Sequence, residues 1–269
     1  LFVSTLSILE NINKSLMVSI PLRSGTISEG VIGTPRFVNP LLANSPADQD
    51  MVALIYSGLM RKNSDGTLIP DLAEKYEMSK DGLTYTFTLK NKIYFQDGKP
   101  VTVDDVIFTI NKTKDSIIKS PRKVDWDGVT AAKIEKTLEF SLKKPYPSFL
   151  ENTTIGIMPA SLWNNSPIEL NDANTNPIGS GPYMIKNIDR ESSGIINSYE
   201  LAPFKKFILG EPYIESFNLR FYLNEDSLIN ALENKEVDQI SSIAPLNADI
   251  LKERNYIIDS SVLPRIFGL

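Results

Sequence analysis

Residues 79–110 constrain the fold more than any other stretch. Thr84-Tyr-Thr-Phe-Thr-Leu89 alternates strictly, with Tyr85, Phe87 and Leu89 on one side and threonines on the other. That period of two is the mark of a strand buried on one face. Ser79-Lys-Asp-Gly82 before it and Gln96-Asp-Gly-Lys-Pro100 after it supply turn chemistry. A helix start follows: Thr102 is placed as N-cap, Asp104 and Asp105 fall in the first turn, and Val101 and Val106 are spaced for a hydrophobic staple. Val103, Val106, Ile107 and Ile110 then recur at the spacing of one buried helical face, and the acids at this end suit the helix dipole.

The rest of the chain keeps this mixture. Met17 to Leu22 reads as a first strand. Gly25 to Pro46 is a long segment punctuated by glycine and proline, where a regular helix is not expected. Ala47 to Leu59 is a helix, with Met51, Val52, Ile55 and Leu59 on one face. Strands are expected at Leu138–Leu142, from Tyr183, at Phe217–Tyr222 and at Val237–Ile243, with a short helix at Ser227–Leu232. No repeat and no linker divides the chain. The fold class is α+β, a mostly strand-built body with a few helices. Leu1 to Leu9 is apolar but meets Glu10 too soon to span a bilayer. Residues 1–15 therefore read equally as the end of a signal or membrane anchor and as an amphipathic N-terminal helix.

Two zeros bound the chemistry. The 269 residues include no Cys and no His. That excludes disulfides, thiolate nucleophiles, cysteine- or histidine-ligated zinc, and a Ser-His-Asp triad. Catalysis would have to rest on carboxylates, Lys, Tyr or a metal held by oxygen. Lys and Arg total 28 against 33 Asp and Glu, a net charge of −5, which argues against a nucleic-acid footprint. Asp125 with Asp127, or Glu135 with Glu139, could be read as paired carboxylates of a hydrolase. A solvated surface accounts for them better, and helix capping accounts for Asp104 and Asp105.

Six segments in order resemble one family. They are Asn39-Pro-Leu-Leu42; Tyr56-Ser-Gly-Leu59; Pro70-Asp-Leu-Ala-Glu74; the run Asp81 to Val106; Asn176-Pro-Ile-Gly-Ser-Gly-Pro-Tyr183; and Ala231-Leu-Glu-Asn-Lys-Glu-Val-Asp238. Together they resemble the extracytoplasmic solute-binding proteins of the family 5 type, which include the dipeptide, oligopeptide and nickel receptors of ABC importers. One departure is Val103, where that family usually has Ala. The resemblance implies the first lobe of a two-lobed periplasmic binding fold, a mixed sheet with flanking helices. It places that lobe at 16–259 and the start of a crossover to a second lobe at 260–269, with the chain expected to continue beyond Leu269. It implies a monomeric receptor, without cofactor, that captures peptide between its lobes and delivers it to a membrane permease. Nickel, a metal chelate or an oligosaccharide is the alternative solute, and a carboxylate hydrolase the remote one. The setting would be periplasmic or extracytoplasmic, free or tethered.

An extended peptide presents its own backbone first, so its receptor needs main-chain groups at a cleft. Loops rich in Gly and Pro allow that close approach. Gly33-Thr34-Pro35-Arg36-Phe37, with Asn39 beyond it, and Gly179-Ser180-Gly181 are the candidate cleft walls, although both could be ordinary turns. Trp126, flanked by Asp125 and Asp127, is expected at least half exposed, where it could stack on a ligand or cap the core. Trp163 reads as packing.

Overall fold

The computed structural model describes residues 22–164 and 167–259. The expected first strand, apart from Leu22, and the readings of 1–15 and 260–269 lie outside the described residues. The strands are β1 (Thr26–Ile32), β2 (Met60–Lys62), β3 (Leu68–Pro70), β4 (Ala73–Met78), β5 (Thr84–Leu89), β6 (Val129–Ile134), β7 (Thr137–Leu142), β8 (Tyr183–Arg190), β9 (Ile196–Pro203), β10 (Ser216–Tyr222) and β11 (Gln239–Ile240). Among the described residues, four helices exceed two turns: α1 (Pro46–Ile55), α2 (Val103–Lys114), α3 (Glu225–Glu233) and α4 (Pro245–Glu253).

Two larger sheets divide the strands. The first runs β11-β1-β10-β9-β8 and is mixed, because β1 lies parallel to both β10 and β11 while β8, β9 and β10 are antiparallel. The second is antiparallel, in the order β4-β5-β7-β6. β2 and β3 form a small hairpin.

Sequence pattern explains the second sheet well. In β5, Tyr85 and Phe87 turn inward and the threonines stay half exposed. Phe87, Phe140, Phe149 and Trp126 meet in one aromatic cluster under α2, ring centroids 5.5–5.7 Å apart. Each such buried ring contributes roughly 2–3 kcal/mol of hydrophobic free energy. The capping box of α2 forms as expected, the Thr102 amide donating to Asp105 Oδ2 at 2.9 Å and the Asp105 amide to Thr102 Oγ1 at 3.4 Å. Asp105 Oδ1 also accepts from the Ala160 amide at 3.0 Å, and Asp104 pairs with Lys133.

The first sheet departs from expectation at its centre. Within the segment read as irregular, Thr26–Ile32 forms the strand on which β10 and β11 both pair. Ser, Glu and Gly hid it. Gly30 lets α3 pack close: a methyl there would stand 2.5 Å from Leu228 Cδ1, which would have to shift. Side chains alternate along β1, so Val31 points the other way, into the core with Met51 and Ile55 of α1. The two helices thus cover opposite faces of β1. α1 ends at Ile55 rather than Leu59, because Tyr56 turns to extended backbone. The Val237–Ile243 strand shrinks to Gln239–Ile240, and the short helix lengthens to Glu225–Glu233.

Candidate functional site

The parallel strands define where a ligand can sit. β1 runs into α1 on one face of the sheet. β10 runs into α3 on the other face, and α3 returns the chain to β11. At the carboxyl ends of β1 and β10 the chain therefore diverges, the kind of switch point at which open sheets with parallel strands take ligands. The main chain is tied together there: the Gly33 amide donates to Tyr222 O at 2.8 Å, and the Ser241 amide to Gly30 O at 3.3 Å.

The candidate loop 33–37 leaves the carboxyl end of β1. Gly33 has φ +88°, a left-handed conformation that glycine adopts without strain, and nothing stands within 4 Å of where its Cβ would be. Gly33 and Arg36 are exposed, Thr34 and Phe37 half-buried, and Pro35 buried. Arg36 lies over the Phe37 ring, 5.8 Å from its centroid. The amides of Arg36 and Phe37 both donate to Asp48 Oδ1, at 2.7 and 2.8 Å. Leu223, directly ahead of α3, is 93% exposed. Ser242, after β11, takes a positive φ of 62°. Near the strand's other neighbours, Glu29 accepts from Gln239 Nε2 at 2.8 Å, and burial together with the Glu29 charge raises the pKa of Asp50 on α1.

The other sequence candidates fall elsewhere. Asn39 is fully buried: its amide donates to Asn174 Oδ1 at 3.0 Å, and its oxygen accepts from the Leu41 amide at 2.9 Å. It braces the loop from inside the body. Gly179, Ser180 and Gly181 are buried against the end of α1, where the Gly181 amide donates to Ile55 O at 2.9 Å. Gln96 locks this joint. Its Nε2 donates to Ile55 O and Tyr183 O at 3.2 and 2.6 Å, and its Oε1 accepts from the Gly179 amide at 3.0 Å. Trp126 is 1% exposed, so the expectation of an open ring fails: Asp127 stays at the surface while the indole packs on Phe140 and Phe149. It also borders a pocket of about 200 Å³ beside α1, whose rim carries Gln49, Arg122, Asp125 and Glu151. Trp163 is buried, as packing requires.

Sequence reasoning missed Asp48, Leu223 and Ser241. The spacing Ser45-Pro46-x-Asp48 was a legible capping signal for the first. No local signal marks the other two, which owe their place to strand order. Among the described residues, no group of three or more acidic side chains is placed to hold a metal ion, and no helix is long and apolar enough to cross a membrane.

A family model for bacterial extracellular solute-binding proteins, family 5 middle, matches residues 67–266. Oligopeptide-binding protein AppA from Bacillus subtilis is 26% identical over 226 residues, 81% of this chain and 41% of AppA. The crystal structure of the ABC transporter substrate-binding protein CtaP from Listeria monocytogenes superposes with a TM-score of 0.73 at 30% identity, covering 86% of this chain and 47% of CtaP. NikZ from Campylobacter jejuni, solved in complex with Ni(L-His), gives 0.71 at 27%, covering 79% of this chain and 42% of NikZ. The chain spans between 29% and 49% of the length of curated relatives such as these. With its mixed sheet and flanking helices matched to part of a two-lobed periplasmic binding fold, the chain belongs to the bacterial extracellular solute-binding proteins of family 5.

Proposed function

We propose that this chain forms the first lobe of an extracytoplasmic receptor that captures peptides and hands them to an ABC importer's permease. The observation that carries the reading is the divergence of the chain at the carboxyl ends of β1 and β10, beside the loop 33–37, whose Gly33 and Arg36 are exposed. An exposed cation at Arg36 and an exposed apolar side chain at Leu223 suit a ligand with varied side chains. Capture is non-covalent. A second lobe, in the part of the fold that the relatives extend over, would close on the ligand by hinge motion, and the closed form is what a permease would read. The relatives' names support peptide as the solute, since AppA is an oligopeptide-binding protein. Within the loop, Gly33, Thr34, Arg36 and Phe37 are the proposed contacts.

A metal chelate is the second reading, favoured by the likeness to NikZ with Ni(L-His). A chain without His offers no imidazole, so such a ligand would bring its own. Calorimetry on the intact protein separates the two, with a pool of synthetic nonapeptides as one titrant and Ni(L-His) as the other. Heat from the peptides alone is expected. Heat from the chelate alone transfers the reading to metal uptake, and heat from neither defeats both.

A further inference from the structure

Asp48 sits at the third position of α1 and is 4% exposed. In a capping box an acid there serves one amide, that of the N-cap residue. Asp48 does this, with Oδ2 accepting from the Ser45 amide at 3.2 Å while its own amide donates to Ser45 Oγ at 3.1 Å. Its second oxygen has a different task. Oδ1 accepts from both Arg36 and Phe37, twelve and eleven residues upstream. Nothing in helix capping calls for those two bonds.

We infer that Asp48 is a positioning residue of the ligand site, holding the loop 33–37 in its binding shape. The loop is pinned at its start by the Gly33 amide on Tyr222 O and at its end by the pair of amides on Asp48. Only Thr34 and Pro35 lie between the pins, and Pro35 has a fixed φ. A wall fixed in this way meets its ordering cost during folding, so that cost is not charged to ligand capture. The inference rests on the reading of this loop as a cleft wall.

Ser45 supplies the control. Ser45→Ala and Asp48→Ala both break the capping box, but only Asp48→Ala frees the loop. In the intact protein, amide exchange at Arg36 and Phe37 is expected to quicken about 100-fold in Asp48→Ala and to stay unchanged in Ser45→Ala. Affinity for the nonapeptide pool is expected to fall about tenfold in Asp48→Ala and less than about threefold in Ser45→Ala, although both variants melt earlier. Asp48→Asn keeps an oxygen for the loop and is expected to recover most of the affinity; if Asp48→Ala does not fold, Asp48→Asn carries the same readouts at reduced size. Unchanged exchange at Arg36 and Phe37 overturns the inference. Faster exchange with unchanged peptide affinity, or no peptide binding by the wild type, instead removes the reading of the loop as a ligand wall.

Discussion

The loops 33–37 and 179–181 look alike in sequence and do opposite work. Each places glycine beside Ser, Thr or Pro between regular elements. At Gly33 the glycine serves conformation: φ is +88° and the space around it is open. At Gly179 and Gly181 it serves proximity. A methyl on Gly179 would lie 1.9 Å from Ile55 O, and one on Gly181 2.7 Å from Ile55 C. One loop stands at the carboxyl edge of the sheet with Gly33 and Arg36 exposed. The other is sealed into the joint where the end of α1 meets the turn at Gln96. Glycine content therefore marks a close or unusual backbone, and only the partners say whether that backbone faces a ligand or the protein itself.

The most severe way to break this comparison is Gly179→Ala. The clash is with backbone, which cannot swing aside as a side chain would. A loss of about 4 kcal/mol or more is expected, seen as failure to fold or a collapsed urea midpoint. A variant that melts like the wild type would mean that the joint is looser than its contacts imply.

Gln96→Ala attacks the same joint from the other side. It removes three side-chain hydrogen bonds and leaves the buried Gly179 amide without its partner. About 2–4 kcal/mol of stability should be lost. If the loops are independent, amide exchange in 33–37 should not change. Faster exchange there would show that the joint also governs the loop 33–37.

How much of this was legible varies with the range of the interactions. The helix α2 and strand β5 were readable because their signals are local: Thr102 and Asp105 are three residues apart, and the Thr84–Leu89 alternation needs no partner. The family likeness was legible for the same reason, as ordered short segments. β1 was not, because a strand of Thr-Ile-Ser-Glu-Gly-Val-Ile is central only by virtue of β10 and β11, about 190 and 210 residues away along the chain. Asn39 looked free for a ligand until Asn174 supplied its partner. Trp126 looked exposed because its neighbours in sequence are acids, while its neighbours in space are phenyl rings. The anchor of the loop 33–37 at Asp48 was not read, because its two bonds reach back across the turn to Arg36 and Phe37.

Two carboxylates sharpen the contrast between the regions. Asp48 and Asp71 are each 4% exposed. Asp48 receives three amides, whereas Asp71, beyond the buried end of α1, has an oxygen with no hydrogen-bond partner. Burial pushes the Asp71 pKa up to about 6, against the opposing pull of a Ser57 hydrogen bond and the charges of Arg61 and Lys90. A raised carboxylate pKa means that the folded chain holds the proton more tightly than the unfolded one between about pH 4 and 6. The contribution of Asp71 is therefore best at the acid end of that window. It is lost as pH rises through it, by about 2–3 kcal/mol. Asp71→Asn should flatten this limb in urea titrations run from pH 4 to pH 7.5, leaving the variant the more stable protein at neutral pH. Parallel curves for the two proteins would place the Asp71 proton elsewhere.

The mildest change tests the open loop directly. Gly33→Ala meets no atom within 4 Å, so its cost is only that of holding an L-residue at φ +88°, about 1 kcal/mol. Stability should hardly move, yet the wall should shift, because Gly33 is where the loop leaves Tyr222. Binding of the nonapeptide pool is the sensitive readout: a several-fold loss of affinity with a nearly unchanged melting curve is expected. That is the reverse of Gly179→Ala, where stability is lost first. If Gly33→Ala instead costs as much stability as Gly179→Ala and leaves affinity intact, both loops belong to the scaffold, and the ligand must be held by a different edge of the lobe.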